Sequence, residues 1–104
     1  MTTPPLSDHA LALVRGVFQR HPEVQSATLF GSRAKGTHRE NSDVDLVLTG
    51  DVPSLMAESI AAELDELPLP YRFEVQPLAD ITHPELLEHI QRVGVTIYVA
   101  ASRV

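Results

Sequence analysis

Two apolar segments, joined by a glycine-serine turn and a polar loop, constrain the fold of this chain more than any other feature of its sequence. The first ends in Leu29-Phe30-Gly31-Ser32, and the second begins Ser42-Asp43-Val44-Asp45-Leu46. Side chains on a β-strand alternate between its two faces, so Asp43 and Asp45 must point the same way. The pattern therefore predicts a strand, a turn and a second strand that carries two carboxylates on one face.

The carboxylates and the turn together predict a site for a metal ion and phosphate groups. Adjacent carboxylates repel each other, and Mg²⁺ prefers a few carboxylate oxygens together with substrate phosphates. Gly31 permits a tight turn and the close approach of a ligand. Ser32 is predicted to begin a short helix whose free backbone N–H groups and hydroxyl bind phosphate. Arg33, Lys35 and Arg39 are either further phosphate ligands or ordinary exposed side chains.

A third carboxylate is predicted on a later strand, over residues 71–76. Apolar and polar side chains alternate there, and Glu74 lies on the polar face. If Asp43 and Asp45 share that face, Glu74 can act as general base toward an attacking hydroxyl or hold a second metal ion. The alternative is an exposed strand residue that forms a salt bridge with an arginine.

The remaining periodicity predicts a small domain in which helices and strands alternate. Apolar spacing, caps and prolines predict helices from Ser7 or Asp8 to about His21, over 54–67, and from Pro84 to Gly94. Strands are predicted over 26–30, 43–48 and 71–76, with a short β-like segment over 96–100. The expected fold is α/β (α+β), a mixed sheet of three to four strands with helices covering one face.

The same patterns assign side chains to the core and to the solvent. The second helix is expected to bury Met56, Ile60, Leu64 and Leu67, and the last helix Leu86, Leu87, Ile90 and Val93. A solvated acidic face on the second helix is predicted to comprise Glu58, Glu63, Asp65 and Glu66. The five histidines have no metal-binding spacing and are assigned to the surface: His9, His21, His38, His83 and His89.

Composition narrows the class of protein. The 104 residues, 43% of them apolar, predict a single domain over 1–104 with a loose N-terminal tail at 1–5. A net charge of −6 disfavours direct binding to nucleic acid. No cysteine, signal peptide or membrane-spanning segment is visible, so we expect a cytoplasmic protein.

The combination Gly31-Ser32-x-Ala34-x-Gly36 and Ser42-Asp43-x-Asp45-Leu46 resembles the signature of the DNA polymerase β-like nucleotidyltransferase superfamily. The resemblance covers about residues 10–99. Because the chain is short, it is most similar to the minimal nucleotidyltransferases, the MNT group. The resemblance implies Mg²⁺-dependent transfer of a nucleoside monophosphate from ATP or another triphosphate. Ser32 would hold the triphosphate, Asp43 and Asp45 the metal ions, and Glu74 would be the third carboxylate, where the family usually has Asp.

The resemblance also implies a partner. MNT proteins are typically paired with a small helical HEPN protein or a related substrate-binding-like subunit. In the toxin–antitoxin version, the MNT antitoxin adenylylates a tyrosine of the HEPN ribonuclease, and this is the leading hypothesis. The alternative is a catalytically weak or inactive nucleotide-binding subunit that neutralises its partner by complex formation. Transfer to a small molecule is less favoured, because the chain has no second domain to form that substrate's pocket.

Overall fold

The computed structural model describes residues 6–31 and 43–100. Within them the chain forms α1 (Asp8–Gln19), β1 (Val24–Phe30), β2 (Val44–Gly50), α2 (Ser54–Asp65), β3 (Phe73–Pro77), a 3₁₀ helix (Leu78–Asp80), α3 (Pro84–Val93) and β4 (Val95–Val99). Each predicted element in these ranges is confirmed, with ends that differ by about two residues, as sequence-based boundaries usually do. The 3₁₀ helix was not predicted.

The four described strands form one mixed sheet in the order β3-β2-β1-β4. β1 lies antiparallel to both β2 and β4, whereas β2 and β3 are parallel. A parallel pair needs a crossover connection, which α2 supplies between β2 and β3. The predicted mixed sheet is therefore confirmed, and its parallel pair brings the starts of β2 and β3 to the same end of the sheet.

The first face of the sheet carries most of the core. Ser7 caps α1, and its hydroxyl accepts a hydrogen bond from the Ala10 N–H at 3.2 Å, as the sequence predicted. α1 and α2 both pack on this face, because each has a continuous apolar stripe. The largest fully buried side chains of this core include Val14, Val17, Phe18, Leu29, Leu46, Leu48, Ile60 and Leu64.

α3 packs on the opposite face, which corrects the expectation that the helices cover one face. Strand alternation turns Phe30 of β1 and Val47 of β2 away from the main core, and Ile90 of α3 covers them together with Ile81. Ile90 is the one buried residue of α3, whereas Leu86, Leu87 and Val93 are only half-buried, contrary to prediction. One short helix covers only part of the face, so the rest stays accessible.

The acidic side of α2 is not simply solvated. Glu63 accepts a hydrogen bond from Arg20 at 3.1 Å and contacts Nε2 of His21 at 2.5 Å. Asp65 accepts a hydrogen bond from the Phe73 backbone N–H at 3.1 Å, which connects the end of α2 to the start of β3. Glu58, Asp65 and Glu66 are exposed as expected. The prediction is wrong for Glu63, which is half-buried because Arg20 and His21 contact it.

The apolar stripe of α2 is shifted slightly from its predicted position. Ile60 and Leu64 are fully buried together with Ala57, while Met56 and Leu67 lie half-buried at the margins of the core. None of the helices within residues 6–31 and 43–100 has the length and apolar character needed to cross a membrane.

Candidate active site

Three carboxylates, Asp43, Asp45 and Glu74, lie on the face of the sheet opposite the main core, and we call them the carboxylate row. Asp45 on β2 pairs with Phe30 on the antiparallel strand β1 and with Glu74 on the parallel strand β3. Paired residues on adjacent strands project to the same face, so Asp45 and Glu74 lie side by side. Asp43, two residues before Asp45, is exposed at the start of β2. The structure thus confirms that Glu74 shares a face with the two aspartates.

The row has an excess of negative charge. Burial raises the pKa of the Asp45 carboxyl above its ordinary value of 3.8, and the carboxylates of Glu74 and Asp43 raise that pKa further, as does a hydrogen bond with Glu74. Asp45 is half-buried, whereas Glu74 is exposed. Among the ion pairs of residues 6–31 and 43–100, none joins these three carboxylates to a basic side chain. Their mutual repulsion would be relieved by a cation.

The donor set matches a hard divalent cation. In the described part of the chain, no three His, Asp or Glu side chains already converge as a metal-binding group. The structure shows instead a contacting pair, Asp45 and Glu74, with Asp43 close enough to Asp45 to raise its pKa. All the donors are carboxylate oxygens, which Mg²⁺ prefers over nitrogen or sulphur ligands. The residues present therefore fit Mg²⁺ by their chemistry.

Gly31 is required where β1 ends. Its φ of +80° lies in the left-handed region that disfavours other residues. A Cβ at this position would also collide with Oδ2 of Asp45 and lie 3.4 Å from the Asp45 Cγ. The positive φ agrees with the predicted turn, and the group that lies close to Gly31 is the Asp45 carboxylate, whereas the predicted approach of a ligand stays a prediction. The binding role of Gly31 toward a nucleotide stays a prediction.

His89 of α3 belongs to this site, although the sequence reading assigned it to the surface. Its Nε2 lies 3.1 Å from the Gly31 nitrogen and accepts the Gly31 N–H, and its ring meets the Phe30 ring edge-on at a centroid distance of 6.4 Å. His89 follows Leu86 by three positions and precedes the buried Ile90. Helical spacing therefore places His89 beside the apolar stripe of α3, and this position in the sequence is the feature that could have predicted its contact with the sheet.

Three other histidines lie within the described residues. His9 and His83 are exposed, and His21 is bound to Glu63. Ser32, Arg33, Lys35, Arg39 and His38 lie in the segment 32–42, outside the described residues, so the roles predicted for them stay predictions. A separate open cavity of about 380 Å³ lies between α1 and β4 and is lined by none of the predicted site residues.

A family model matches most of this chain. The profile of the family described as "Polymerase beta, Nucleotidyltransferase" matches residues 14–103, which include every predicted site residue. A search of the curated proteins returns no significant match.

Several solved structures share the fold. A chain from a toxin–antitoxin complex with AMP-PNP superimposes with a TM-score of 0.71 and 18% identity, over 91% of this chain and 75% of that one. A chain from a tri-AMPylated Shewanella oneidensis HEPN toxin in complex with MNT antitoxin superimposes with a TM-score of 0.69 and 13% identity, over 91% of this chain and 74% of that one. A chain from the MntA–HepT toxin–antitoxin complex superimposes with a TM-score of 0.69 and 14% identity, over 90% of this chain and 74% of that one. At these identities the similarity establishes the fold.

Proposed function

Because the chain belongs to the polymerase β nucleotidyltransferase family, we propose that it is a Mg²⁺-dependent enzyme that transfers AMP from ATP to a hydroxyl group of a partner protein. The proposed acceptor is a tyrosine of a small helical HEPN-type protein, and the chain acts as the antitoxin of that cytoplasmic pair. The structures that share its fold support this choice, since they include a complex with AMP-PNP and a tri-AMPylated HEPN toxin bound to MNT antitoxin.

The observation that carries the proposal is the pairing of Asp45 with Glu74 beside Gly31. The strand pairing brings two carboxylates together at the point where the predicted phosphate-binding turn begins, and Asp43 precedes them on the same strand. Repelling carboxylates on a sheet destabilise it, so a bound ligand is the simplest reason to have them there. Asp43, Asp45 and Glu74 would hold Mg²⁺, which when bound neutralises charge on the triphosphate.

The reaction assigns a task to each residue. The acceptor oxygen attacks the α-phosphorus of ATP, a new phosphorus–oxygen bond forms, and the bond to pyrophosphate breaks. Glu74, which is exposed at the edge of the row, takes the proton of the attacking hydroxyl. Ser32 and the basic residues Arg33 and Lys35 are proposed to bind the triphosphate. Gly31, which follows the last residue of β1, lies directly beside Asp45.

The test is to incubate the chain with a HEPN-type partner, Mg²⁺ and ATP, and to weigh the partner by mass spectrometry. We expect the partner to gain the mass of one or more AMP groups with the wild-type chain. Asp45→Asn should abolish that gain, because it removes a metal-binding charge at nearly constant volume. Glu58→Gln, which removes an exposed carboxylate on α2 away from the row, should leave it intact. An unmodified partner in a complex that does form would contradict the transferase proposal.

A second candidate function is neutralisation by binding alone, and Glu74 favours it. The family usually has Asp at this place, and the extra methylene displaces the carboxylate by about 1 Å, enough to cost about a hundredfold in rate at a catalytic base. The double variant Asp43→Asn/Asp45→Asn separates the two functions in cells that express the toxic partner. Continued protection would support neutralisation by binding, whereas restored toxicity would support transfer.

A further inference from the structure

The strand that carries Glu74 lies at the edge of the described sheet, where β3 has only β2 as a neighbour. The Val44 N–H donates to the Arg72 C=O at 2.8 Å, so Arg72 directs its backbone groups toward β2. Successive residues of a strand direct their backbone groups to opposite sides, so the Phe73 N–H points away from β2. Within residues 6–31 and 43–100, the sheet therefore offers no partner strand for this N–H.

Asp65 supplies the missing partner from another element. It is the last residue of α2, and its Oδ1 accepts a hydrogen bond from the Phe73 N–H at 3.1 Å. Phe73 is only 5% exposed, so water has little access to its backbone, and an unpaired N–H there would be costly. Without Asp65, the start of β3 would have to separate from the sheet for this group to reach water.

The place of Asp65 in its own helix is unfavourable. A carboxylate at the C-terminus of a helix faces the negative end of the helix dipole, and aspartate is a weak helix former. The last turn of α2 has no basic residue, and none of the ion pairs within the described ranges involves Asp65. The hydrogen bond to β3 is thus the contact in the described part of the chain that offsets this cost.

The position of Glu74 depends on the same hydrogen bond. Glu74 follows Phe73 directly and is the second residue of a five-residue strand, where it pairs with Asp45. Its side chain is exposed, so the backbone of β3 rather than side-chain packing determines where its carboxylate lies. The hydrogen bond of Asp65 also closes the connection over residues 66–72, which joins α2 to β3. Asp65 therefore holds the end of the strand from which Glu74 projects.

We infer that Asp65 is a positioning residue of the carboxylate row: by accepting the Phe73 N–H, it fixes the start of β3 and so holds Glu74 beside Asp45 in the arrangement that binds a divalent cation. The inference rests on the proposed function, since it names a residue that arranges the proposed metal site. Asp65 is not itself a ligand. It acts through the backbone of β3, which explains how a residue on the second helix affects a site built from strands.

Two substitutions separate the hydrogen bond from the charge of Asp65. Asp65→Ala has no acceptor, and we expect it to weaken binding of Mn²⁺, which prefers oxygen ligands as Mg²⁺ does, by about three- to tenfold. Asp65→Asn keeps an acceptor oxygen without the charge, so affinity should return to within about twofold of wild type. Glu66→Gln removes the adjacent exposed carboxylate and should leave the affinity unchanged.

Electron paramagnetic resonance measures these affinities, because it reports the free Mn²⁺ as the ion is titrated into the full chain without nucleotide. Circular dichroism confirms that each variant is folded. Asp45→Asn must also weaken binding, which shows that the ion lies at the carboxylate row. A loss in Asp65→Asn as large as that in Asp65→Ala would overturn the inference, since the charge rather than the hydrogen bond would then be responsible.

The outcomes distinguish this inference from the proposed function. Failure of the wild-type chain to bind Mn²⁺ would contradict the proposed metal site and the role of Asp65 with it. Equal affinities for wild type and Asp65→Ala would overturn only the role of Asp65. If Asp65→Ala does not fold, hydrogen exchange of the wild-type chain decides. Protection of the Phe73 amide supports the role, whereas exchange as fast as in an unfolded chain overturns it.

Discussion

Asp45 and Glu74 occupy paired positions on the parallel strands β2 and β3, and their carboxyl groups are close enough to hydrogen-bond. Like charges in such a pair destabilise a sheet. The arrangement is nevertheless supported from both sides, because Gly31 makes room for the Asp45 carboxylate and Asp65 binds the backbone N–H of Phe73, next to Glu74. The fold thus maintains an unfavourable charge pair, as binding sites for cations commonly do.

Removal of the Glu74 charge should stabilise the protein in the absence of divalent cations. The pKa of Asp45 is raised in the folded state, so the folded protein holds the Asp45 proton more tightly than the unfolded chain does. Protonation of Asp45 therefore stabilises the fold at acid pH, and this stabilisation is lost as the pH rises through the raised pKa. Glu74→Gln removes one source of the increase, so the pKa of Asp45 should fall. We expect a gain of about 0.5 kcal/mol at neutral pH, a small value because Glu74 is exposed to solvent.

Urea unfolding in the presence of a chelator measures that gain at neutral pH and below pH 3.8, the ordinary pKa of an aspartate. The advantage of Glu74→Gln should disappear at the lower pH, where Asp45 is protonated in both proteins. Glu58→Gln, on the exposed side of α2, provides the matched loss of a carboxylate. A variant less stable than wild type at neutral pH would show that the pair is not repulsive.

The length of the side chain that carries the third carboxylate should control the rate of AMP transfer. Glu74→Gln removes the proposed base and should lower the rate by at least about a hundredfold. Glu74→Asp restores the residue usual in the family and should raise the rate above that of wild type, because the shorter side chain corrects a displacement of about 1 Å. Initial rates of AMP incorporation into the partner measure both. If the two variants are equally active, Glu74 is not the base.

Two glycines should respond in opposite ways to replacement by alanine. Gly31→Ala introduces a Cβ at a φ of +80° that collides with Asp45, so we expect a loss of about 1–3 kcal/mol and weaker nucleotide binding. Gly16→Ala is the control within α1, where a Cβ would meet no atom within 4 Å. It should stabilise the protein by about 0.5–1 kcal/mol through helix propensity. Thermal unfolding distinguishes the two, and a neutral Gly31→Ala would show that Asp45 can move aside.

The contacts of Glu63 should make stability depend on pH. The hydrogen bond from Arg20, together with the contact to His21, lowers the pKa of Glu63 below its ordinary 4.5. A lowered carboxyl pKa stabilises the fold above pH 4.5, and that contribution is lost as the pH falls through the lowered pKa. Glu63→Gln should therefore cost about 0.5 kcal/mol at neutral pH, since Arg20 is largely exposed.

Urea unfolding of Glu63→Gln at neutral pH and below its lowered pKa tests this pH dependence. The difference from wild type should vanish at the lower pH, where Glu63 of the wild type is protonated. Glu66→Gln removes an exposed acid less than one helical turn away and should show no such dependence. A Glu63→Gln variant as stable as wild type at neutral pH would indicate that this network does not contribute to folding.

Local pattern was sufficient for the α-helices and strands of the described residues, though not for the 3₁₀ helix, and for the carboxylate face. Helical spacing and the Ser7 cap predicted α1, and alternation predicted that Asp45 and Glu74 would project on the polar sides of their strands. These features depend on residues close in sequence, so periodicity reveals them. The side of the sheet on which α3 packs could not be predicted in this way, because it depends on the connection that follows β3 and on the small cluster formed by Phe30, Val47, Ile81 and Ile90.

The same distinction applies to the candidate site. Its components could be predicted from the sequence, namely a glycine turn, two aspartates with strand spacing and a glutamate on a later strand, because each follows from local stereochemistry. Three relationships are visible in the three-dimensional structure alone: Asp45 pairs with Glu74, Gly31 lies against the Asp45 carboxylate, and His89 accepts the Gly31 N–H. Strand register and the packing of α3 bring together residues up to 58 positions apart in the chain, and no local pattern contains that information.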